Sequence, residues 1–265
     1  MLYFKRFIFF LIFFFSFLYF LLFYSFTYLR VSSASSSDMV TYIDNRSDVC
    51  NSIIRAIIAH RSSITLSYPD IAVDFRKYRK NNYIDFFDSL NIHNGYYTGI
   101  LSGTCISIND EADTVTFQLN YLTSKKQDRY IAKKARKIAG KFKGQSDYNK
   151  IKGAHDYIVK HTRYDDDYYN PYYVFRKGKG ICMSYALAFQ RIMQEMKIPC
   201  IYVKGNNHAW NMVKLEGRWY GVDVTWDDSN SSYTYFLKGT KDFYGHTLPK
   251  SKCIRKLKKA RYSYK

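Results

Sequence analysis

Three side chains in this sequence have the types needed to move an acyl group: Cys182, His208 and Asp223. A thiolate attacks carbonyl carbon, an imidazole takes and returns the proton, and a carboxylate can hold the imidazole in one orientation. After Gly178-Lys179-Gly180-Ile181-Cys182, the residues Tyr185, Phe189, Ile192 and Met196 recur at spacings of 4, 3 and 4, predicting a helix that stops before Pro199. Cys182 then sits on a first helical turn, where open N–H groups and the helix dipole favour the thiolate and offer a donor to an oxyanion. A small buried apolar residue is the competing reading of a single cysteine, and position alone does not decide between them.

The base comes from a predicted hairpin. Residues 208–215 (HAWNMVKL) and 218–225 (RWYGVDVT) are strand-like runs around Glu216-Gly217, which reads as a two-residue turn. That register sets His208 opposite Thr225 and Trp210 opposite Asp223. His208 and Asp223 are then diagonal neighbours on one face, about 5–8 Å apart at Cβ and able to bond. Asn211 falls on the opposite face, and a three-residue loop would invert this parity. Asp227 and Asp228 read as turn residues.

Other elements must place these residues. Ser124 and Gln127 have capping-box form, and Ile131, Ala135, Ile138 and Phe142 follow at helical spacing, predicting a helix from Ser124 to Phe142. Ser146 caps a second helix with Tyr148, Ile151, His155 and Ile158 on one face, where His155 reads as a hydrogen-bonded core residue. The stretch 168–180, rich in Tyr, Asn, Pro and Gly, reads as a loop. Nearer the N-terminus, 48–60 reads as a helix with Ile53, Ile54, Ile57 and Ile58 inward, and 96–108 and 114–121 read as strands joined by a polar turn.

With these residues in view, the sequence resembles the transglutaminase-like superfamily. GKGICMSYALAF, GNNHAWNMV and GRWYGVDVTWDD look like its three motif blocks, and IKGAHDYIVKHTRYD before them and YFLKGT after them extend the similarity over residues 151–240. The resemblance implies Cys182 as nucleophile, His208 as general base and acid, and Asp223 as the orienting group. It implies an α+β, papain-like core with the cysteine helix packed on a small antiparallel sheet, and no cofactor or metal. Ser184 stands where bacterial members often have Gly in C-x-G-Y-A. Animal transglutaminases carry a tryptophan well before the cysteine, whereas Trp210, Trp219 and Trp226 all follow it here. The second oxyanion donor is thus open, with a tyrosine between Tyr168 and Tyr173 as a guess. Water as acceptor makes a peptidase or amidase and an amine makes an acyltransferase. A catalytically inactive binding or scaffold module is the alternative, and zinc on Cys182, His208 and Asp223 lacks a fourth ligand.

Lys5 and Arg6 precede an uncharged apolar run from Phe7 to Leu29, long enough to span a bilayer, for which about 20 residues suffice. The run reads as an uncleaved anchor with the N-terminus inside and the rest exported. A signal peptide cut after Ala34 is the other reading, leaving a secreted protein. The expected plan is an anchor at 1–30, a serine-rich stalk at 31–40, an α+β subdomain at 41–123, a catalytic domain at 124–245 and a basic tail at 246–265. The net charge of +19 suits nucleic acid, but export argues against that partner and favours an anionic envelope surface. A protein or cell-wall peptide is the expected substrate. Five cysteines are an odd number for an oxidising compartment; pairing Cys50 with Cys105 and Cys200 with Cys253 leaves Cys182 as the thiol.

Overall fold

The computed structural model describes residues 40–44, 48–230 and 232–265. The expected anchor at 1–30 and nearly all of the stalk lie outside the described residues. Among the described residues no helix is long and apolar enough to cross a membrane.

The first part of the described chain runs β1 (Val40–Tyr42), α1 (Asp48–Ile58), β2 (Ser63–Ser67), α2 (Ile71–Arg79), α3 (Ile84–Gly99), β3 (Leu101–Asn109) and β4 (Thr114–Tyr121). Its sheet has the order β1-β2-β4-β3, with β1 parallel to β2 and the other pairs antiparallel. Alternation along β4 turns Val115, Phe117 and Leu119 inward, where they meet Ile53 and Ile57 of α1 and Phe75 of α2. Each such burial contributes about 1.5–3 kcal/mol. Ile58, expected inside, is 50% exposed, because the helix ends there and only Ile53, Ile54 and Ile57 keep to its inner face.

The expected strand over 96–108 begins as helix. α3 continues to Gly99, kinked at Asn94, and β3 starts only at Leu101. Tyr96 has a strand-former's side chain, but it is buried with its hydroxyl donating to Asp128, so packing overrides local preference.

The second part contains α4 (Lys125–Gly140), α5 (Asp147–His161), β5 (Arg163–Tyr164), α6 (Pro171–Lys177), β6 (Lys179–Gly180), α7 (Cys182–Glu195), β7 (Cys200–Gly205), β8 (His208–Leu215), β9 (Arg218–Val222), α8 (Val224–Asn230) and α9 (Lys252–Lys256). α4 has the expected capping box: Gln127 N–H donates to Ser124 Oγ, and Ser124 N–H to Gln127 Oε1. Ser124→Ala is expected to lower stability by about 1 kcal/mol in urea unfolding; no shift of the midpoint would show the cap idle. The region 168–180 is not all loop. Asn170 accepts from Tyr172 N–H and Pro171 occupies the first helical position, so together they start α6 inside this stretch.

α7 is the centre of this part. Ser184 through Met193 are all buried, with α4, α5 and α6 on some sides and β7 and β8 on another. The antiparallel β7-β8-β9 sheet keeps the expected hairpin register, from Leu215 opposite Arg218 to Asn211 opposite Val222, with Glu216 and Gly217 both at positive φ. β7 is an edge strand of that sheet. On its open side the Asn91 side chain of α3 donates to Tyr202 O (2.6 Å) and accepts from Tyr202 N–H (3.2 Å).

The hydrophobic core runs without a break from Val49 to Ala260, across the expected boundary at 123/124. Residues 246–265, expected as a basic tail, pack on this part. Lys259 bridges to Trp219, Ile254 and Ala260 are buried, and Tyr264 N–H donates to Leu237 O. The charges read there as a tail sit on a segment whose apolar residues pack on the sheet. Neither expected disulfide is present, since Cys105, Cys182, Cys200 and Cys253 are free thiols. Cys105 is exposed on β3, and Cys253 Sγ donates to Asp85 O at 3.5 Å.

Candidate active site

Cys182 is the first residue of α7, and its N-cap Ile181 supplies no side-chain acceptor to the first turn. The turn's leading N–H groups therefore have no side-chain cap from Ile181. The approach to the helix is tight. A Cβ on Gly180 would lie 2.6 Å from Ser184 Cβ and 3.0 Å from Val174 Cγ2, so only glycine lets the chain pass. Ser184, the departure from the C-x-G-Y-A pattern, is buried and donates to Tyr168 O at 2.9 Å. Tyr168 O also accepts from Ile181 N–H, so this hydroxyl ties the preceding segment to the helix start. The Tyr168 hydroxyl, one of the guessed oxyanion donors, accepts from Lys177 Nζ at 3.2 Å.

His208 opens β8, and Cys182 on one side is near enough to raise its pKa. On the other, its Nε2 lies 2.5 Å from Asp223 Oδ2. The route to this contact differs from the expected one. β9 stops at Val222, so neither Trp210 with Asp223 nor His208 with Thr225 is a strand pair. Asp223 occupies the junction where α8 begins, and its Oδ1 accepts from Thr225 N–H (3.0 Å) and Trp226 N–H (3.1 Å). An N-cap's preference for Asp and an imidazole's need for a carboxylate thus fix the same residue. Asn211 is on the other face of β8, donating to Ala186 O and Ile201 O.

A further histidine joins the group. His246 Nε2 lies 2.8 Å from the same Asp223 Oδ2, and its Nδ1 lies 2.9 Å from Tyr244 O. Nothing in the spacing of the sequence ties residue 246 to residue 223; a histidine just past Gly245 was the only signal. Trp226 stacks on His208 at 4.8 Å and 17°, and Trp210 at 5.9 Å and 23°.

Electrostatics follow from this geometry. Burial opposes charge on His208, but its bonds to Asp223 and Cys182 and their charges outweigh it and bring its pKa to about 9. Burial likewise opposes ionisation of Asp223, yet the bonds from His208, His246 and Trp226 N–H hold its pKa below the ordinary 3.8. Burial, and then the charge of Cys182, raise the pKa of Tyr202 and of Tyr164. Tyr202 also lines a cavity of about 380 Å³ with Asp88, Asn91 and Lys204.

One ligand-type atom from each of His208, Asp223 and His246 falls within 4.8 Å of the others. Both nitrogens are spent on the shared oxygen at 2.5 and 2.8 Å. Those are lengths for two N–H donors on one acceptor, whereas ligands at about 2.0–2.2 Å around a zinc ion stand farther apart. The residues do not fit a metal.

Two other carboxylates have roles beyond the turn expected for them. Asp227, fully buried, takes His155 Nε2 at 3.0 Å and Tyr235 N–H at 2.8 Å, and Asp228 accepts from the Tyr185 hydroxyl at 2.7 Å. Both lie on α8 and tie it to neighbouring helices, and Asp227 also serves the turn after α8, where its Oδ1 accepts from Ser232 Oγ and Tyr235 N–H. His155 is a 1% exposed core residue.

Residues 119–224 match the family model described as transglutaminase-like superfamily. The kyphoscoliosis peptidases of Mus musculus and Homo sapiens are 29% and 28% identical over 133 residues, 39% of this chain. The chain spans only 20% of the length of these curated relatives. A solved TGase structure superposes with a TM-score of 0.33 at 17% identity, covering 72% of this chain and 60% of that one, too slight a likeness to carry an argument. The family match takes in Cys182, His208 and Asp223 together, and 119–224 is the segment that is similar to the transglutaminase-like superfamily.

Proposed function

We propose that this chain is a thiol enzyme acting on amide or peptide bonds through Cys182, His208 and Asp223. One observation carries the reading: His208 bonds to a buried Asp223 whose other oxygen is anchored by backbone N–H groups, with Cys182 near enough to raise the His208 pKa. In the reaction His208 takes the proton of Cys182, and its raised pKa of about 9 suits it to hold that proton. The thiolate adds to the amide carbonyl, and the oxyanion rests on the open N–H of Cys182. His208 gives its proton to the leaving nitrogen as the C–N bond breaks, leaving a thioester. Water or an amine, deprotonated by His208, then releases the acyl group and restores the thiol. The first outcome is a peptidase or amidase, the second an acyltransferase.

The setting belongs to the same proposal. Residues 1–30 hold the protein in a membrane with the catalytic part outside, and the positive charge keeps it on an anionic envelope where proteins or cell-wall peptides are its substrates. To test the chemistry, the full-length chain in detergent is treated with p-nitrophenyl acetate and acetylated residues are mapped by mass spectrometry. Acetyl is expected on Cys182 ahead of exposed Cys105. Labelling led by Cys105 would sink the proposal.

A further inference from the structure

We infer that His246 is a positioning residue of this site, sharing Asp223 with His208 and thereby setting how tightly His208 holds its proton. The inference rests on the catalytic reading of Cys182, His208 and Asp223.

Local structure explains how His246 gets there. Gly245 has φ 76°, and a Cβ on it would lie 2.8 Å from the Trp226 ring, so a glycine is needed for the chain to turn under that indole. The next residue then points inward. Its ring stacks on Phe243 at 3.8 Å and 6°, meets Trp210 edge-on at 4.8 Å and Trp226 at 4.4 Å, and is 1% exposed. No water-facing role is open to it.

Its hydrogen bonds are restrictive. Tyr244 O is a carbonyl oxygen and only accepts, so Nδ1 must carry a hydrogen to bond at 2.9 Å. Asp223, ionised, also only accepts, so Nε2 must carry one to bond at 2.8 Å. Both bonds exist together only when the ring bears both N–H groups and a positive charge. Asp223 Oδ2 therefore faces two cationic rings, His208 and His246, while Oδ1 takes two backbone N–H groups.

The functional consequence follows from Coulomb's law at short range. A lone buried carboxylate would place its whole field on His208 and hold that proton strongly. A second cation on the same oxygen offsets part of this field and repels the charge on His208, making His208 a better acid toward a leaving amine. The other ionisable groups in reach are Cys182 of α7, Tyr235 against His246, and Tyr164, Tyr202 and Lys204, which couple to Cys182. None of these donates to Asp223 in place of His246.

The test uses the full-length chain and iodoacetamide, a probe that needs no substrate. Alkylation of Cys182 is followed against pH in the parent and in His246→Gln, which keeps a neutral N–H donor. The parent is expected to show a transition near the His208 pKa, and His246→Gln to move it upward by about one pH unit. An unmoved transition in a destabilised variant means a purely structural histidine and overturns the inference alone. A parent whose Cys182 alkylation has no such transition overturns the catalytic reading and this inference together. Should the variant fail to fold, the ¹⁵N shifts of His246 in the parent at pH 7 decide: two protonated ring nitrogens support the inference, and a single tautomer sinks it.

Discussion

His208→Ala is expected to slow acetylation of Cys182 by p-nitrophenyl acetate by about 10²–10⁴-fold at pH 7, the range that a positioned acid–base group contributes. The ring bonds to Asp223 and feels the charge of Cys182, so its loss removes the acid–base group beside the thiol. The fold should survive, because His208 sits at the end of β8 and its backbone pairs with Gly205 whatever the side chain. Stopped-flow release of p-nitrophenolate gives the rate, and circular dichroism checks the fold. A loss of only about threefold would show that the thiol reacts without help and that the site is not a catalytic one.

Asp223→Ala is expected to have the largest effect on stability, about 3–5 kcal/mol by urea unfolding at pH 7. Removing one partner of a buried ion pair strands the charge of the other. Here the loss strands two rings and frees two N–H groups of α8. Asp223→Asn, which keeps the Oδ1 acceptor, should cost less. The pH profile adds a sign. The Asp223 pKa is lowered on folding, so its contribution is present above its ordinary 3.8 and is lost as pH falls through the folded value. The His208 pKa is raised from 6.5 to about 9, so its contribution is whole below 6.5 and is lost as pH rises through 9. The parent should be most stable between these limits, and Asp223→Ala should flatten both flanks. A variant within about 1 kcal/mol of the parent would show that the paired charges contribute little.

Local signals were legible in the sequence where one residue decides the structure. Ser124 with Gln127, Ser146, and Glu216-Gly217 each specify a cap or turn by their own chemistry, and the helices and hairpin they begin are present. Periodicity found α7 because its inner face is a long apolar row. Readings failed where distant packing or a dual-use residue decided. Tyr96 belongs to a helix because the core around Asp128 holds it there, and Asp223 ends a strand because it caps α8. His246 was beyond reach for the same reason: its partners come from residues 210, 223, 226 and 243, and only the folded chain brings them together.

The pairing of Asn91 with Tyr202 bears on how a polypeptide could dock. An edge strand with open N–H and C=O groups is a template on which an extended chain can add itself. On β7 the amide of Asn91 occupies both groups of the central residue, imitating a neighbouring strand with a single side chain. A peptide cannot zip onto this edge without first displacing α3. The sheet is thereby guarded against growing into aggregates, and a guest chain must be recognised through side-chain contacts rather than by β-augmentation along β7.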